Sequence, residues 1–331
     1  MTLYVVRRFI HYAILSLIAT CLAYILASAL LKPADRFYGM NPRPPQASID
    51  ASLDAMGVNP DVPVLVRLWN WLVNLFTQFS LGETVGGAQV TAEIAARSGA
   101  SLRLLLIGSI LGAIVGVLLG VWGAVRQYRA SDQIVTYSSY IVFATPTFVI
   151  GVLLMIAATS FNNALGTQVI RFTGEYTAGI SGGWWDIALD RAIHLLLPTI
   201  ALVLISAASY SRYQRSVMLD VLGADYIRTA RAKGVPESGV RWRHAFGNAL
   251  APVLTILALS FGGLFSGALI TETMFAWPGM GKAIYQAILD NDYNLALVGL
   301  LIATLATMLG NLLADLAYAW VDPRVSIEQS A

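Results

Sequence analysis

The decapeptide DYIRTARAKG, Asp225 to Gly234, lies between two apolar segments of the length that a membrane crossing requires. Asp225 predicts a helix start, because a carboxylate accepts hydrogen bonds from the unpaired N–H groups of a first turn. Gly234 predicts the helix end, since glycine adopts a left-handed conformation without steric cost, and Pro236 suits the first turn of a second helix. A short basic helix with defined ends, held at a membrane surface, is typical of a docking element. Its residues are Asp225, Tyr226, Ile227, Arg228, Thr229, Ala230, Arg231, Ala232, Lys233 and Gly234.

The composition is that of a membrane protein. Of 331 residues, 57% are hydrophobic and 12% are charged, whereas soluble domains carry roughly 25% charged residues. Apolar windows of about 20 residues predict an all-α integral membrane protein with six transmembrane helices in one domain, residues 1–331. The first window is longer than the core of a signal peptide and lacks a cleavage site, so we interpret it as a retained helix. The predicted spans are residues 9–31, 102–125, 134–161, 194–217, 250–275 and 295–320.

Lysine and arginine placement predicts the orientation. Short loops rich in basic residues remain in the cytoplasm, which places both termini and the loop 218–249 inside. The segments 32–100 and 162–190 are then extracytoplasmic. Residues 64–79 of the first are apolar and aromatic enough for an amphipathic helix on the membrane or on the outer face, but a packing helix with interfacial tryptophans is favoured. The net charge of +2 averages two unequal faces and gives no indication of nucleic-acid binding.

Motifs for catalysis are weak. The turn PGMGK, Pro278 to Lys282, is similar to a phosphate-binding loop, but Ala276 replaces the first glycine and Ala283 replaces the Ser or Thr that follows the lysine. The three histidines and the single cysteine lie in separate segments without ligand spacing, so no metal site is predicted. The sequence therefore predicts a non-catalytic chain that binds no cofactor itself.

Two sets of small residues have alternative interpretations. Glycines four residues apart in the second span favour close helix packing over a pore lining, whereas small residues in the fifth span fit packing and a solute pathway equally well. Two acidic residues, Glu272 and Asp315, lie within about two turns of an interface and are interpreted as packing or capping groups. The second-span glycines are Gly108, Gly112, Gly116 and Gly120, and the pathway candidates are Gly262, Gly263, Ser266 and Gly267.

Several motifs occur in the order and orientation of one transporter family. They are YVVRRF from Tyr4, SLRLLLIGS from Ser101, ATPTFVIG from Ala144, SRYQRSVMLDVLGADYIRTARAKG from Ser211, FAWPGMGKAI from Phe275 and DPRV from Asp322. With these motifs the chain resembles the ABC-importer permeases of the peptide/nickel class, and in particular the B subunits of actinobacterial, mycobacterial oligopeptide permeases.

The resemblance implies a type I ABC importer architecture and a role as one half of a translocation pathway. It implies that residues 225–234 form the coupling helix that docks on an ABC ATPase subunit, which would bind ATP and Mg. It also implies a second, C-type permease subunit and an extracytoplasmic substrate-binding lipoprotein that delivers peptide. In this arrangement the chain lies in the cell membrane, in contact with lipid.

The outer loops 32–100, 162–190 and 275–292 are expected to meet the binding protein. In the last of them a rigid turn is expected to project toward arriving solute, although an interfacial anchor is an equal alternative for its tryptophan. The residues of this turn are Trp277, Pro278, Gly279 and Gly281.

Other functions stay open at this point. The solute of such an importer could also be a dipeptide, haem or a metal chelate. A secondary transporter would show paired intramembrane charges or helices broken at midplane, which the sequence does not indicate. A membrane-anchored enzyme would need a nucleophile–base pair or a metal cluster.

Overall fold

The computed structural model describes the backbone of residues 2–321 and the side chains of residues 6–257 and 268–312. Within these ranges the chain is built from helices, with one β-bridge between Glu83 and Gln89. The helices are α1 (Thr2–Leu30), α2 (Asp35–Tyr38), α3 (Gln46–Ala55), α4 (Val64–Gln78), α5 (Val90–Val125), α6 (Ala130–Ala144), α7 (Thr147–Leu165) and α8 (Trp184–Gly223). They continue with α9 (Asp225–Ala232), α10 (Glu237–Gly239), a π-helical segment (Val240–Phe246), α11 (Gly247–Gly267), α12 (Leu269–Met274), α13 (Met280–Leu289) and α14 (Tyr293–Val321).

Five helical segments among the described residues are long and apolar enough to cross a membrane. The predicted span 194–217 lies inside the 40-residue helix α8, which continues through Pro198. The remaining predicted span, 250–275, falls on α11 and α12 and includes side chains outside the described residues. The five segments are Val6–Tyr38, Val90–Val125, Thr147–Leu165, Trp184–Gly223 and Tyr293–Leu312.

Two predicted spans are not continuous helices. The prediction for residues 134–161 is wrong in this respect, because α6 ends at Ala144, Thr145 is extended and Pro146 caps α7. Proline disfavours the helical conformation of the residue before it, so the ATPTF motif interrupts the helix. Residues 250–275 are likewise divided at Ala268. The sequence alone did not indicate these breaks.

The chain divides into two compact units. Unit 1 comprises Met1–Ser101, Gly262–Leu269 and Pro278–Leu312, and unit 2 comprises Leu102–Phe261, Ile270–Trp277 and Leu313–Ala331. The core of unit 1 joins α1 to the helices of the segment 32–100 and to α14. Its buried aromatic centre is Tyr24, Trp71 and Tyr293, with Tyr24 and Tyr293 packed edge to face at 5.1 Å.

The helix predicted over residues 64–79 is confirmed as α4, and it packs into the protein as favoured. One face carries the buried residues Leu68 and Trp71 into the core of unit 1, while Trp69 stays exposed. The connection between α1 and α5 is shorter than the predicted loop 32–100, because α5 already begins at Val90.

Unit 2 is assembled around a glycine seam between α5 and α8. A Cβ placed on Gly112 would lie 2.6 Å from the Cβ of Ser206, and one on Gly116 would lie 2.7 Å from the Cβ of Tyr210. One on Gly120 would lie 2.6 Å from a backbone oxygen of α8. Since real Cβ atoms do not approach this closely, the glycines permit the helix contact, and the packing interpretation of the second-span ladder is confirmed.

Candidate docking site

The predicted short helix is present as α9, but it begins differently from the prediction. The N-cap is the extended residue Ala224, which has no side chain capable of capping. Asp225 is the first helical residue, and its side chain is 96% exposed. The prediction that Asp225 caps the helix is therefore wrong. Its carboxylate instead lies in the first turn, where negative charge is favourable to the helix dipole.

The end of α9 has the predicted glycine geometry. Gly234 has φ +74°, its N–H donates to the Arg231 carbonyl at 2.9 Å, and the Val235 N–H donates to the Ala230 carbonyl at 3.2 Å. These two hydrogen bonds form a Schellman motif, which satisfies carbonyls that the last turn would leave unpaired. Val235 and Ala230 also pack against an apolar cluster of unit 2 that contains Ile227. Pro236 is the N-cap of α10, one position before the first helical turn in which it was predicted.

One side chain anchors α9 to the rest of unit 2. Ile227 is fully buried among residues from α5, α8, the π-helical segment and α11. The fully buried partners include Met218, Val240 and Ala245. Because α9 buries a single large apolar residue, its position depends on this one contact and on its capped end. The whole cluster is Val121, Ala124, Met218, Ile227, Val240, Ala245 and Ala249.

The remaining surface of α9 is basic and open. We call Tyr226, Arg228, Arg231 and Lys233 the basic face; all four are exposed, Arg228 with 73% of its side chain. Thr229 and Ala232 are exposed beside them, and Gly234 follows at the end of the helix. The structure thus brings the ten predicted residues into one element, with Ile227 turned inward and Ala230 partly covered. Such a surface suits an acidic or polar protein groove.

A small ion-pair network fixes the turn after α9. Glu237 accepts a hydrogen bond from Arg231 Nε at 2.8 Å, and Arg241 Nε lies 3.6 Å from its other carboxylate oxygen. The hydrogen bond from Arg231 holds the pKa of Glu237 below its ordinary value. Arg231 is therefore partly neutralised, whereas Arg228 has only a 3.6 Å approach to the exposed Asp225.

Sequence reasoning missed a charged pair that joins α6 to α8 in the same unit as α9. Asp132, near the start of α6, accepts bonds from Arg215 of α8 at 2.6 and 2.7 Å, and a third from the Tyr128 N–H at 3.0 Å. The Asp132 side chain is almost fully buried. The sequence signal that could have indicated this pair is Asp132 itself, a lone acidic residue directly after the basic loop at Arg126 and Arg129. The nearby Arg212 guanidinium stacks on Phe143, with 3.9 Å to the ring centroid.

The turn formed by Trp277 to Gly281 does not expose its tryptophan. Trp277 is 1% exposed, so the prediction that it projects toward solute is wrong. The Trp277 N–H donates to the Glu272 carbonyl at 2.8 Å, which holds the turn after α12. Gly279 caps α13, while Gly281 is buried and Pro278 is partly covered. Ala276 is exposed and Ala283 is buried, so of these two alanines Ala276 is the accessible one.

Two further predictions fall in regions of limited description. The pathway candidates Gly262, Gly263, Ser266 and Gly267 belong to α11, and their side chains lie outside the described residues, as does that of Asp315. Glu272 is buried in α12. Among the side chains that the structure describes, no group of three or more potential metal ligands is present.

Comparison with known proteins gives full-length relatives. The chain is 42% identical over 327 residues to the oligopeptide transport system permease protein OppB of Mycobacterium tuberculosis, covering 99% of this chain and 100% of that protein. It is 33% identical over 329 residues to AppB of Bacillus subtilis, another oligopeptide transport system permease, covering 98% and 99%. A shorter match, 45% over 137 residues, covers 41% of this chain and 40% of the dipeptide transport system permease protein DppB of Escherichia coli.

The family profile agrees with these relatives. Residues 112–327 match the profile described as "Binding-protein-dependent transport system inner membrane component". This stretch contains α6 to α14 and therefore the whole docking site. The chain is a multi-pass membrane protein that belongs to this family of transport permeases, which has the type I ABC importer fold.

Proposed function

We propose that this chain forms one half of the translocation pathway of an ATP-driven importer for oligopeptides, and that α9 transmits the motion of an ABC ATPase to the spans. The observation that carries the proposal is the construction of α9: one anchored face, a Schellman end and an exposed basic face. A helix held in this way moves as a rigid body when a partner pushes on it. The oligopeptide assignment is supported by the names of the two full-length relatives.

The remaining parts of the machine belong to partners. The chain offers no glycine-lysine loop of the nucleotide-binding type, so ATP and Mg are assigned to the ATPase subunits and the chain itself is not an enzyme. A C-type permease would complete the pathway, and a binding lipoprotein would deliver peptide outside. Both termini and α9 are placed in the cytoplasm on the basis of the basic residues around α9.

The test is ATPase stimulation in the assembled importer. Arg228→Glu reverses charge at the more open of the two arginines of the basic face, and we expect the complex to assemble but to lose stimulation by peptide-loaded binding protein. Arg129→Glu is the matched control, because Arg129 is also an exposed cytoplasmic arginine but lies outside α9. Unchanged stimulation in Arg228→Glu, or equal loss in both variants, would contradict the docking role.

A dipeptide importer is the second candidate, because the partial relative DppB is a dipeptide permease. Separate uptake measurements with a labelled pentapeptide and a labelled dipeptide distinguish the two candidates. Uptake of the pentapeptide supports the oligopeptide assignment, and uptake of the dipeptide without the pentapeptide supports the second candidate.

A further inference from the structure

A polar cavity lies in unit 2, between the C-terminal end of α7, the loop that follows it and α8. Its volume is about 800 Å³, within the roughly 300–1,000 Å³ typical of small-molecule sites. In the proposed orientation this loop, part of the segment 162–190, is extracytoplasmic. The cavity lies outside the docking site and outside the small-residue stretch considered as a pathway.

The loop that forms the wall is tied to a helix on each side. Asn162, in the last turn of α7, accepts from the N–H groups of Val169 and Ile170 at 3.0 and 2.9 Å. It also donates to the Ile170 carbonyl at 2.8 Å. Asp190 of α8 accepts from the N–H and the hydroxyl of Thr177 at 2.6 and 2.8 Å. Because both sides of the wall are held in this way, the cavity is formed before a ligand arrives.

Arg171 presents hydrogen-bond donors to this cavity. It lines the wall, and 40% of its side chain is exposed. Its Nη1 donates to Asp190 and to the Thr177 hydroxyl, and these contacts hold the guanidinium in place. Nε and Nη2 donate to no described residue, and the fold does not cover them completely. These two atoms form one edge of the guanidinium, whose parallel N–H groups match the two oxygens of a carboxylate. Arg215 uses the same edge to bind Asp132.

The cavity wall has no acidic side chain to compete for that edge. Its described residues include Arg171 and His194 but neither an aspartate nor a glutamate. The carboxylate that supports Arg171, that of Asp190, is 2% exposed and does not line the cavity. Asp190 compensates part of the arginine charge but leaves the open edge free. The cavity therefore suits an anionic group at Arg171.

A histidine of α8 adds a hydrogen-bond acceptor. His194 is 4% exposed and lines the cavity. Its Nδ1 lies 2.8 Å from the backbone carbonyl oxygen of Asp190, and because a carbonyl only accepts, Nδ1 carries the proton of the neutral ring. Nε2 then has a free lone pair. It has no partner among the described residues and is not completely covered, so it opens onto the cavity. Since an unpaired polar atom on a buried side chain is costly, this orientation indicates a ligand that donates to it.

We propose that this cavity binds the C-terminal end of a short peptide, with the open edge of Arg171 donating to the carboxylate and His194 Nε2 accepting from the last amide N–H. The carboxylate and this N–H belong to the same residue of a peptide, and Arg171 and His194 both contact Asp190. Recognition of main-chain groups leaves the peptide side chains free, as a site for varied oligopeptides requires. The peptide class rests on the proposed function, whereas the pairing of donor and acceptor rests on the two side chains alone.

The experiment measures binding by calorimetry to the assembled importer in nanodiscs, without binding protein and without nucleotide. The probes are trialanine, its C-terminal amide, and trialanine that is N-methylated at the last peptide bond. We expect saturable binding of trialanine and about fivefold weaker binding of the amide, because a hydrogen bond to a charged group is stronger than one to a neutral group. The difference is moderate because Asp190 already compensates part of the Arg171 charge.

Two variants assign the contacts. In Arg171→Gln the acid and the amide should bind with equal affinity. In His194→Phe, which keeps a ring and removes the acceptor, trialanine should bind about fivefold more weakly, and N-methylation should cause no further loss. Arg103→Gln is the matched control and should bind like the unaltered importer. Arg103 is also a half-exposed arginine paired with one carboxylate, that of Glu175, but it does not line the cavity.

The proposal would be overturned if trialanine showed no saturable binding, or if the unaltered importer bound acid and amide equally. A preference for the acid that persists in Arg171→Gln, or an unchanged affinity in His194→Phe, would also overturn it. If Arg171→Gln does not assemble, the comparison of acid and amide on the unaltered importer and the His194→Phe variant decide the question. The assay requires neither ATP hydrolysis nor transport. An importer that transports peptide but shows no such binding would therefore remove this proposal and leave the proposed function intact.

Discussion

Gly234 is the residue whose conformation is most specific to the docking helix. It has φ +74°, and a Cβ placed on it would meet nothing within 4 Å. A substitution therefore acts through backbone strain and not through a clash. Gly234→Ala should cost roughly 1–2 kcal/mol at this position, since an L-residue resists the left-handed conformation. We expect stimulated ATPase activity to fall while the amount of assembled complex stays near normal.

Gly223→Ala is the control for that measurement. Gly223 ends α8 two residues before α9, and it also has open space around its Cβ position, but its φ is not positive. A loss of stimulation in Gly223→Ala equal to that in Gly234→Ala would show that the glycine conformation at the end of α9 has no special role.

Neighbouring residues of α9 should separate anchoring from docking. Ile227 is fully buried and Tyr226 is exposed. Ile227→Ala should lower the free energy of unfolding by about 2–4 kcal/mol, because it leaves a cavity in the cluster beneath α9. Tyr226→Ala should change stability by less than about 0.5 kcal/mol but reduce ATPase stimulation. Thermal unfolding in detergent and the stimulation assay measure the two effects, and a reversed pattern would mean that α9 packs by its other face.

At the scale of elements, the Asp132–Arg215 pair joins α6 to α8. Asp132→Asn should cost about 2–3 kcal/mol of unfolding free energy, below the value for a fully buried pair because Arg215 is partly exposed. Arg215→Met in the same background should restore part of the loss, since the arginine is then no longer left without its carboxylate. The double-mutant cycle would contradict a direct interaction if the two effects simply added.

The same pair predicts a pH dependence. The hydrogen bonds from Arg215 hold the pKa of Asp132 below its ordinary value, against the opposite effect of burial. The contribution of Asp132 is therefore present above the ordinary carboxyl pKa and is lost as the pH falls through the lowered pKa. Unfolding of the importer should show a stability difference between wild type and Asp132→Asn at pH 7 that shrinks in acid. A difference that is constant with pH would exclude this origin.

The glycine seam between α5 and α8 makes an element-scale prediction of its own. Gly116→Ala places a Cβ 2.9 Å from the Ala207 carbonyl oxygen, so the backbones have to move apart. We expect a clear fall in the yield of folded protein and in its thermal midpoint. Gly247→Ala is the control, because its Cβ position is open. Equal yields for the two variants would show that the seam tolerates separation.

At the scale of the whole molecule, the testable property is orientation. Reporter fusions at Gly57, Gly179 and Gly234 should report outside, outside and inside, since basic residues concentrate around α9 and the positive-inside rule places them in the cytoplasm. All three glycines have positive φ values in turns, where insertions are best tolerated. An outside signal at Gly234 would remove the docking role of α9.

Much of the docking site was predictable from local sequence. The helix end at Gly234 and the membrane spans were predictable because they depend on short-range properties. These properties are the left-handed backbone at one residue and hydropathy over about 20 residues. The start of α9 was predicted wrongly because Asp225 has the side chain of a cap but occupies the first helical position. The breaks at Pro146 and Ala268 were missed because a hydropathy window averages over them.

The sequence by itself determined the membrane class, the existence of α9 and, through motifs spread along the chain, the family. Only the tertiary structure decided which groups are paired and which are hidden. Asp132 and Arg215 are 83 residues apart, and the residues next to each of them in the sequence do not indicate the pairing. Trp277 looks like an exposed anchor in the sequence and is buried in the fold. Pairing and burial depend on distant segments that meet after folding, whereas helix ends and hydropathy depend on residues that are already adjacent.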